Sequence, residues 1–298
     1  KRIPPDTFKT QHRGGKGVSG LTTKEDDVVE QVFTTTTHKD LLFFTTRGRV
    51  FRLKAYDVPE ASRTAKGQAI VNFLQLAPGE SVSASFSVGD VEQMKYLLMV
   101  TSGGTVKKVE IEQFDNIRRS GLIAIKLKDG DNLEWVKPTT GKDEVILVSR
   151  KGQSIRFQET DIRPMGRTAS GVRGMKLKAG DNIVGMDVVA RVSAKNGDQL
   201  LVVMHEGYGK RSPLKEYKVQ KRGGSGIKTA NVTKKTGEIV SASVVPSGDV
   251  RDLFVVSEAG QVLRSPLKSV SVLGRSTQGV RIMRFKKEGD TVASVALI

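Results

Sequence analysis

The sequence predicts an all-β fold, a propeller-like wheel of six blades, each a four-stranded antiparallel sheet. Three observations predict it. A frame of glycine and basic residues recurs along the 298 residues, each unit contains β-rich runs divided by glycine turns, and a sheet of this size cannot bury both faces without neighbours.

The repeat is visible by eye. TTRGRVFRLKAYDVPEASRTAKGQAIVNFL from Thr45 and SRKGQSIRFQETDIRPMGRTASGVRGMKL from Ser149 share a glycine, an arginine four residues on, and then Arg-x-x-x-Gly. The last glycine of this frame falls at Gly17, Gly67, Gly121, Gly171, Gly226 and Gly279, which gives six units of about fifty residues over the whole chain.

Within a unit the elements follow in order. DLLFFTTRGRVFRL (Asp40 to Leu53) reads as two strands around a glycine turn, with counterparts YLLMVTSGGTVKKV and DLFVVSEAGQVLRS. After the anchor glycine, apolar residues such as Leu122, Val172, Ile227 and Val280 predict a short third strand. A glycine followed by an acid, as in Gly79-Glu80, Gly130-Asp131, Gly180-Asp181, Gly237-Glu238 and Gly289-Asp290, predicts a tight turn into a fourth strand such as VSASFSV. The first unit begins at Lys1 inside its second strand, so its opening strand comes from preceding residues or from the last unit.

Charge is the second large signal. Lys and Arg number 49 against 32 Asp and Glu, a net charge of +17, which points to a polyanionic partner. The bases fall in columns. Fifteen residues before the anchor stand Arg2, Arg52, Arg156, Arg211 and Arg264, with Lys108 thirteen before its own; four before it stand Arg13, Arg63, Arg167, Arg222 and Arg275, with Arg118 three before and Lys66 beside Gly67. The acids sit apart, at the glycine-acid turns.

Two readings of these columns stand side by side. As a band of cations they suit a bent duplex, because phosphates are neutralised along a curved path and counterions are released. Alternatively, each repeated arginine hydrogen-bonds a neighbouring loop and holds the repeats together. Aromatic residues make up 5% and do not interleave with the bases, which favours double-stranded DNA over single strands or RNA loops.

Catalytic chemistry finds little support. With no cysteine there is no thiolate nucleophile, thiolate metal site or disulfide. His12, His38 and His205 are not grouped with carboxylates, and no metal ligand set or cofactor motif emerges. The stretch Arg13-Gly14-Gly15-Lys16-Gly17 lacks the hydroxyl residue and helix start that a nucleotide-binding loop requires. No run reaches the length of a membrane span, so a soluble, cytoplasmic protein without membrane contact is expected.

Gln11-His12-Arg13-Gly14-Gly15-Lys16-Gly17 resembles the Q-R-R-G-G-K-G box of the DNA gyrase A C-terminal domain family, and the six repeats cover the chain as that domain does. The resemblance implies a single β-pinwheel domain over residues 1–298, a propeller relative that exchanges strands between blades, with DNA wrapped on its basic rim. It also implies a bacterial, nucleoid-associated parent, a type IIA topoisomerase that hydrolyses ATP, in which the rest of the A subunit of gyrase together with the B subunit of gyrase completes a heterotetramer. The wrap would set the direction of negative supercoiling, with no cofactor and no catalysis in this chain; Tyr56, Tyr96, Tyr208 and Tyr217 lack a nucleophile setting.

One position departs. His12 replaces the family's first arginine with a group mostly neutral near pH 7, and the nearest echo of the box, Arg222 to Gly226, lacks the lysine. The rival readings are the corresponding substrate-selecting domain of topoisomerase IV, in which the blades are fewer or degenerate and the box is imperfect, and a propeller used as a protein-interaction scaffold.

Overall fold

The computed structural model describes residues 1–4, 35–62, 65–88, 94–190 and 196–297. The chain divides into two compact units. Lys1–Glu92 with Phe114–Ala124 forms one, and Gln93–Gln113 with Ile125–Ile298 the other.

Among the described residues, nineteen strands follow in chain order. The first three are β1 (Asp40–Thr45), β2 (Arg49–Lys54) and β3 (Val82–Val88). Then come β4 (Tyr96–Thr101), β5 (Thr105–Glu110), β6 (Leu122–Ile123) and β7 (Leu133–Thr139), followed by β8 (Glu144–Ser149), β9 (Gln153–Gln158), β10 (Val172–Arg173) and β11 (Ile183–Val189). The last two repeats contain β12 (Gln199–Met204), β13 (Tyr208–Pro213), β14 (Ile227–Lys228) and β15 (Ile239–Val245), then β16 (Asp252–Ser257), β17 (Val262–Pro266), β18 (Val280–Arg281) and β19 (Val292–Leu297).

All pairings between these strands are antiparallel, and the sheets run β3-β1-β2-β6, β10-β5-β4-β7, β11-β8-β9-β14, β15-β12-β13-β18 and β17-β16-β19. The expectation of six blades is thereby corrected to five sheets among the described residues. The first repeat falls almost entirely at residues 5–34, outside the described part, and only Lys1 to Pro4 remain of its second strand.

The composition of each sheet also differs from the expectation that one repeat makes one sheet. The two-residue strand after each anchor glycine pairs with the second strand of the repeat before it: Leu122 with Val50, Val172 with Val106, Ile227 with Ser154 and Val280 with Gly209. The anchor glycine is the cause. Gly226 has φ 74° and an added Cβ would lie 2.2 Å from the Ser154 carbonyl oxygen, so only glycine lets the chain press onto the neighbouring strand and turn along it. In the second repeat the counterpart of that strand is a 3-10 turn, Ile70–Asn72.

Within the second compact unit the cores lie between successive sheets. In β8, Val145 and Leu147 pack with Leu98, Val100 and Val106 of the preceding repeat, while Ile146 and Val148 pack with Leu200, Val202 and Tyr208 of the following one. Both faces are buried, which is why EVILVS reads as an unbroken apolar run rather than an alternating one. The corresponding strand of the last repeat, β16, alternates between buried and half-buried residues.

Among the fourth strands, Gly185 of β11 meets Ala242 of β15 so closely that a Cβ would sit 2.5 Å from the Ala242 oxygen. Beside this contact the Asp187 carboxylate accepts hydrogen bonds from the Lys137 ammonium at 2.5 Å and the Val244 N–H at 2.7 Å, joining three repeats.

The glycine-acid turns explain where the acids go. Asp131 accepts from the Gly103 N–H at 2.8 Å and the Ser102 hydroxyl at 3.0 Å, and Asp181 accepts from the Lys151 N–H at 3.0 Å. Glu80 accepts from the Thr45 hydroxyl at 2.6 Å and the Ala77 N–H at 2.8 Å. Burial raises the Glu80 pKa, but these hydrogen bonds and the Arg49 guanidinium outweigh it and hold the carboxyl below its ordinary range. These acids are occupied in tying the tip of the first hairpin to the turn before the fourth strand.

Candidate nucleic-acid interface

The first basic column lies on the second strand of each repeat, where its side chains reach the 3-10 turn of the repeat that follows. Such a turn leaves carbonyl oxygens without backbone partners, and a guanidinium fork supplies several donors at fixed angles. Arg2 donates from Nε to the Val58 oxygen at 3.3 Å and pairs with Glu60 at 3.2 Å. Arg52 donates to the Asp115 carbonyl and pairs with Asp40. Lys108 donates to the Glu159 carbonyl at 3.1 Å and lies 4.9 Å from the Tyr96 ring centre. Arg156 reaches the Leu214 and Tyr217 carbonyls at 3.0 and 3.2 Å while its Nε donates to Glu144 at 2.7 Å. Arg211 reaches the Val270 and Lys268 carbonyls at 2.8 and 3.0 Å.

Lys108 is 4% exposed and Arg156 5%, so the expectation that they face a polyanion is corrected: their charge is spent on neighbouring carbonyls. Arg264 breaks the series. It pairs with Asp252 of its own hairpin at 2.7 Å, lies over the Phe254 ring, and its side chain is 69% exposed.

The second column precedes the anchor glycines. Arg63, and the whole stretch Gln11, His12, Arg13, Gly14, Gly15, Lys16 and Gly17, lie outside the described residues. Arg118 and Lys66 are exposed and Arg167 is half-buried. Arg222 donates to the Asp161 and Arg173 carbonyls at 2.8 and 3.0 Å, and Arg275 to the Lys228 carbonyl at 2.6 Å. These two guanidiniums hold their loops against the preceding repeat while keeping an exposed side.

A third set of cations lies outside both columns. The second residue of β10, β14 and β18 is Arg173, Lys228 and Arg281, each exposed and each two positions after its anchor. Farther on, Lys126 and Lys128 repeat as Lys176 and Lys178, and Arg284, Lys286 and Lys287 occupy the same stretch of the last repeat, all exposed. The spacing from the anchor could have found them. Their backbone is tied to the next arginine loop: the Lys126 N–H donates to the Ala169 carbonyl at 3.2 Å and the Lys176 N–H to the Gly224 carbonyl at 2.9 Å. Basic side chains of two successive repeats are thus brought to one place.

Two lysines that no column singled out support the loops from beneath. Lys107 and Lys210 are fully buried. Lys107 donates to the Arg167 carbonyl, and Lys210 to the Gly274 and Arg275 carbonyls at 2.8 and 2.6 Å and the Thr277 hydroxyl at 3.1 Å. Burial, with Arg167 nearby, pushes the Lys107 pKa down to about 8, and burial does the same for Lys210. In the second, fourth and sixth repeats the equivalent residues are Phe51, Ile155 and Leu263.

Among the described residues no group of histidines and carboxylates could hold a metal ion, and no helix is long and apolar enough to cross a membrane. His205 lies beside its neighbour Glu206, Nδ1 to Oε1 3.6 Å, with both side chains exposed. His38 packs edge-on against the exposed Tyr56.

Comparison with known proteins agrees with this architecture. The chain is 42% identical over 299 residues to the A subunit of DNA gyrase from Staphylococcus epidermidis, covering 100% of this chain and 33% of that protein. It is 41% identical over 298 residues to the A subunit of DNA gyrase from Staphylococcus aureus, covering 99% and 33%. The chain therefore spans about a third of the length of these relatives. Among solved structures, a DNA topoisomerase IV C-terminal domain superposes with TM-score 0.79 at 26% identity, covering 88% of this chain and 80% of that one. A DNA gyrase A C-terminal domain superposes with TM-score 0.73, also at 26% identity, covering 100% and 95%. The family profile described as "DNA gyrase C-terminal domain, beta-propeller" matches residues 1–36, 39–88, 95–140, 143–190, 198–246 and 251–298, one stretch for each repeat. With this profile matching nearly the whole chain over a fold of antiparallel sheets that share strands, the chain belongs to the DNA gyrase C-terminal domain family.

Proposed function

We propose that this chain binds double-stranded DNA through its exposed cations and bends the duplex around itself, without catalysing a reaction. One observation supports this above the others. Asp131 and Asp181 are consumed at hairpin turns, whereas exposed lysines and arginines recur at the same distance from successive anchor glycines. Contacts to phosphate at regular intervals are what backbone-directed, sequence-tolerant binding requires. The contacts are assigned to Lys66, Arg118, Arg167, Arg173, Lys176, Lys228 and Arg281, with the box Gln11 to Gly17 and Arg63 added on the strength of the family resemblance.

In the parent protein the wrap would present a second duplex segment to the strand-passage machinery, so that ATP-driven passage introduces negative supercoils. The partners are then the remainder of the A subunit of gyrase and the B subunit of gyrase, in the bacterial cytoplasm. Topoisomerase IV is a second reading, favoured by the superposition at TM-score 0.79; the relatives at 41–42% identity and the intact glycine-lysine end of the box support gyrase. A parent enzyme that relaxes but never supercoils would decide for topoisomerase IV.

The test is ligation of nicked circular DNA with the chain bound. Wrapping changes the linking number of the sealed circles. A chain that binds duplex DNA tightly yet leaves the linking number unchanged does not wrap it.

A further inference from the structure

The residue after the glycine of each first hairpin faces the short strand donated by the next repeat. Thr105 pairs with Arg173, Gln153 with Lys228 and Tyr208 with Arg281. A second cation recurs two residues before the glycine of each glycine-acid turn, as Lys128, Lys178, Lys235 and Lys287. The fifth repeat differs in one respect. Among the described hairpins, Tyr208 is the aromatic residue at a position otherwise held by Arg49, Thr105, Gln153 and Gln261.

That ring gathers both cations. The Arg281 guanidinium carbon lies 4.6 Å from the Tyr208 ring centre, and its Nη2 donates to the Tyr208 hydroxyl at 2.8 Å. The Lys235 Nζ lies 5.7 Å from the same centre. Tyr208 itself is 8% exposed, set in the core cluster that holds Val202, Met204 and Ala230, so the platform is fixed. The backbones beside the cations are fixed as well. The Ile282 N–H donates to the Gly207 carbonyl at 2.8 Å. The turn bearing Lys235 is closed by the Thr236 N–H on the Thr233 carbonyl at 3.2 Å and by the Thr233 N–H on the Thr236 hydroxyl at 3.0 Å, with Thr236 fully buried.

No carboxylate offsets this pair. Lys235 and Arg281 are exposed, and among the described residues neither forms an ion pair. Glu206 and Glu238, the acids nearest in sequence to the turn and the hairpin, lie against His205 and Arg150 instead. The electron-rich ring face attracts each cation, but two like charges held by one ring still repel each other. A shared anion relieves that repulsion. A long basic side chain also gives up rotamer freedom when it grips a phosphate, and a ring that already orients it removes part of that loss.

We propose that Lys235 and Arg281 form one phosphate clamp for duplex DNA where the fifth repeat meets the short strand of the sixth, and that Tyr208 is the positioning residue that holds both cations for it. This rests on the wrapping reading above. The third and fourth repeats carry the same two cations, Lys128 with Arg173 and Lys178 with Lys228, over Thr105 and Gln153. Their side chains bind without a platform, so the clamp is the better-ordered contact of the three.

The test measures duplex affinity of the 298-residue chain at fixed salt. Tyr208→Gln, which installs the residue of the fourth repeat, and Tyr208→Phe, which keeps the ring, are each made in the unaltered chain and in a Lys235→Ala/Arg281→Ala background. Thermal melts check folding, and Tyr208→Phe fills the same space if Tyr208→Gln does not fold. Tyr208→Gln is expected to weaken binding about 3- to 10-fold although it removes no charge, and Tyr208→Phe about 2-fold. Neither substitution is expected to weaken binding further once both cations are alanine. Equal losses in the two backgrounds would make the tyrosine a purely structural residue, and no loss in either would make Arg281 indifferent to the ring. Each of these results overturns the clamp and leaves the wrapping reading standing. An unaltered chain without salt-dependent affinity for duplex DNA overturns the wrapping reading, and the clamp with it.

Discussion

The ammonium of Lys210 lies 2.6 Å from the carbonyl oxygen of Arg275, one repeat farther along the chain. A buried cation of one repeat thereby shapes the backbone of the loop that displays an arginine in the next. Lys210→Met leaves the Gly274 and Arg275 carbonyls and the Thr277 hydroxyl without that partner, and is expected to cost about 1–3 kcal/mol in urea unfolding. Amide exchange in residues 274–279 is expected to accelerate. Unchanged exchange there would mean that the loop holds its shape without the lysine.

The same burial makes stability depend on pH. The charged form is disfavoured in the folded chain, so Lys107 and Lys210 release their protons at about 8, whereas the ordinary lysine value is 10.5. Between these values the unfolded chain binds more protons, and stability therefore rises with pH. Below about 8 both states are protonated and the contribution is flat. Relative to the Lys107→Met/Lys210→Met double variant, the unaltered chain should gain in urea midpoint between about pH 8 and about pH 10; parallel profiles would refute the assignment.

Arg156 and Arg264 occupy one sequence column but opposite environments. Arg156 is buried against Glu144 and two carbonyls, and truncating it strands a buried carboxylate. Arg156→Met is expected to destabilise by about 3–5 kcal/mol. Arg264 forms an exposed pair with Asp252, and Arg264→Met should cost about 0–1 kcal/mol. Similar losses at both would show that burial does not govern the column.

Gly226 and Gly130 have the same φ, 74°, but different surroundings. A Cβ at Gly226 collides with the Ser154 oxygen, while one at Gly130 meets nothing within 4 Å. Gly130→Ala should therefore show only the left-handed backbone penalty of about 1–2 kcal/mol, and Gly226→Ala that penalty plus the separation of β14 from β9. Equal melting temperatures would leave the strand exchange without its proposed cause.

Duplex binding should separate the exposed cations from the latched ones. Arg173→Ala and Lys228→Ala are each expected to lower the slope of log affinity against log salt by about 1, with little dependence on DNA sequence. Arg156→Met, under conditions where it is folded, should leave that slope unchanged. A loss at Arg156 equal to that at Arg173 would argue against the assignment of contacts by exposure.

Much of the molecule was legible beforehand. The hairpin signal in DLLFFTTRGRVFRL corresponds to β1 and β2, which pair from Asp40–Lys54 to Phe44–Val50. The glycine-acid turns and the β-run after them were also legible, because a turn with φ > 0 and the alternation of a strand are set by near neighbours in the chain. The lysines beneath the loops were not. Lys107 and Lys210 sit beside the first basic column, and a lysine in a strand gives no local sign that another repeat's carbonyls surround it.

The sequence by itself determined the repeat, the order of elements within each unit and the excess of positive charge, since all of these are written in composition and spacing. Tertiary structure decided which sheet each short third strand joins and which cations remain for a partner. Arg156 and Arg173 look alike as letters. One points at carbonyls of the following repeat and is buried, the other stands on a two-residue strand facing water, and only the packing of successive repeats distinguishes them.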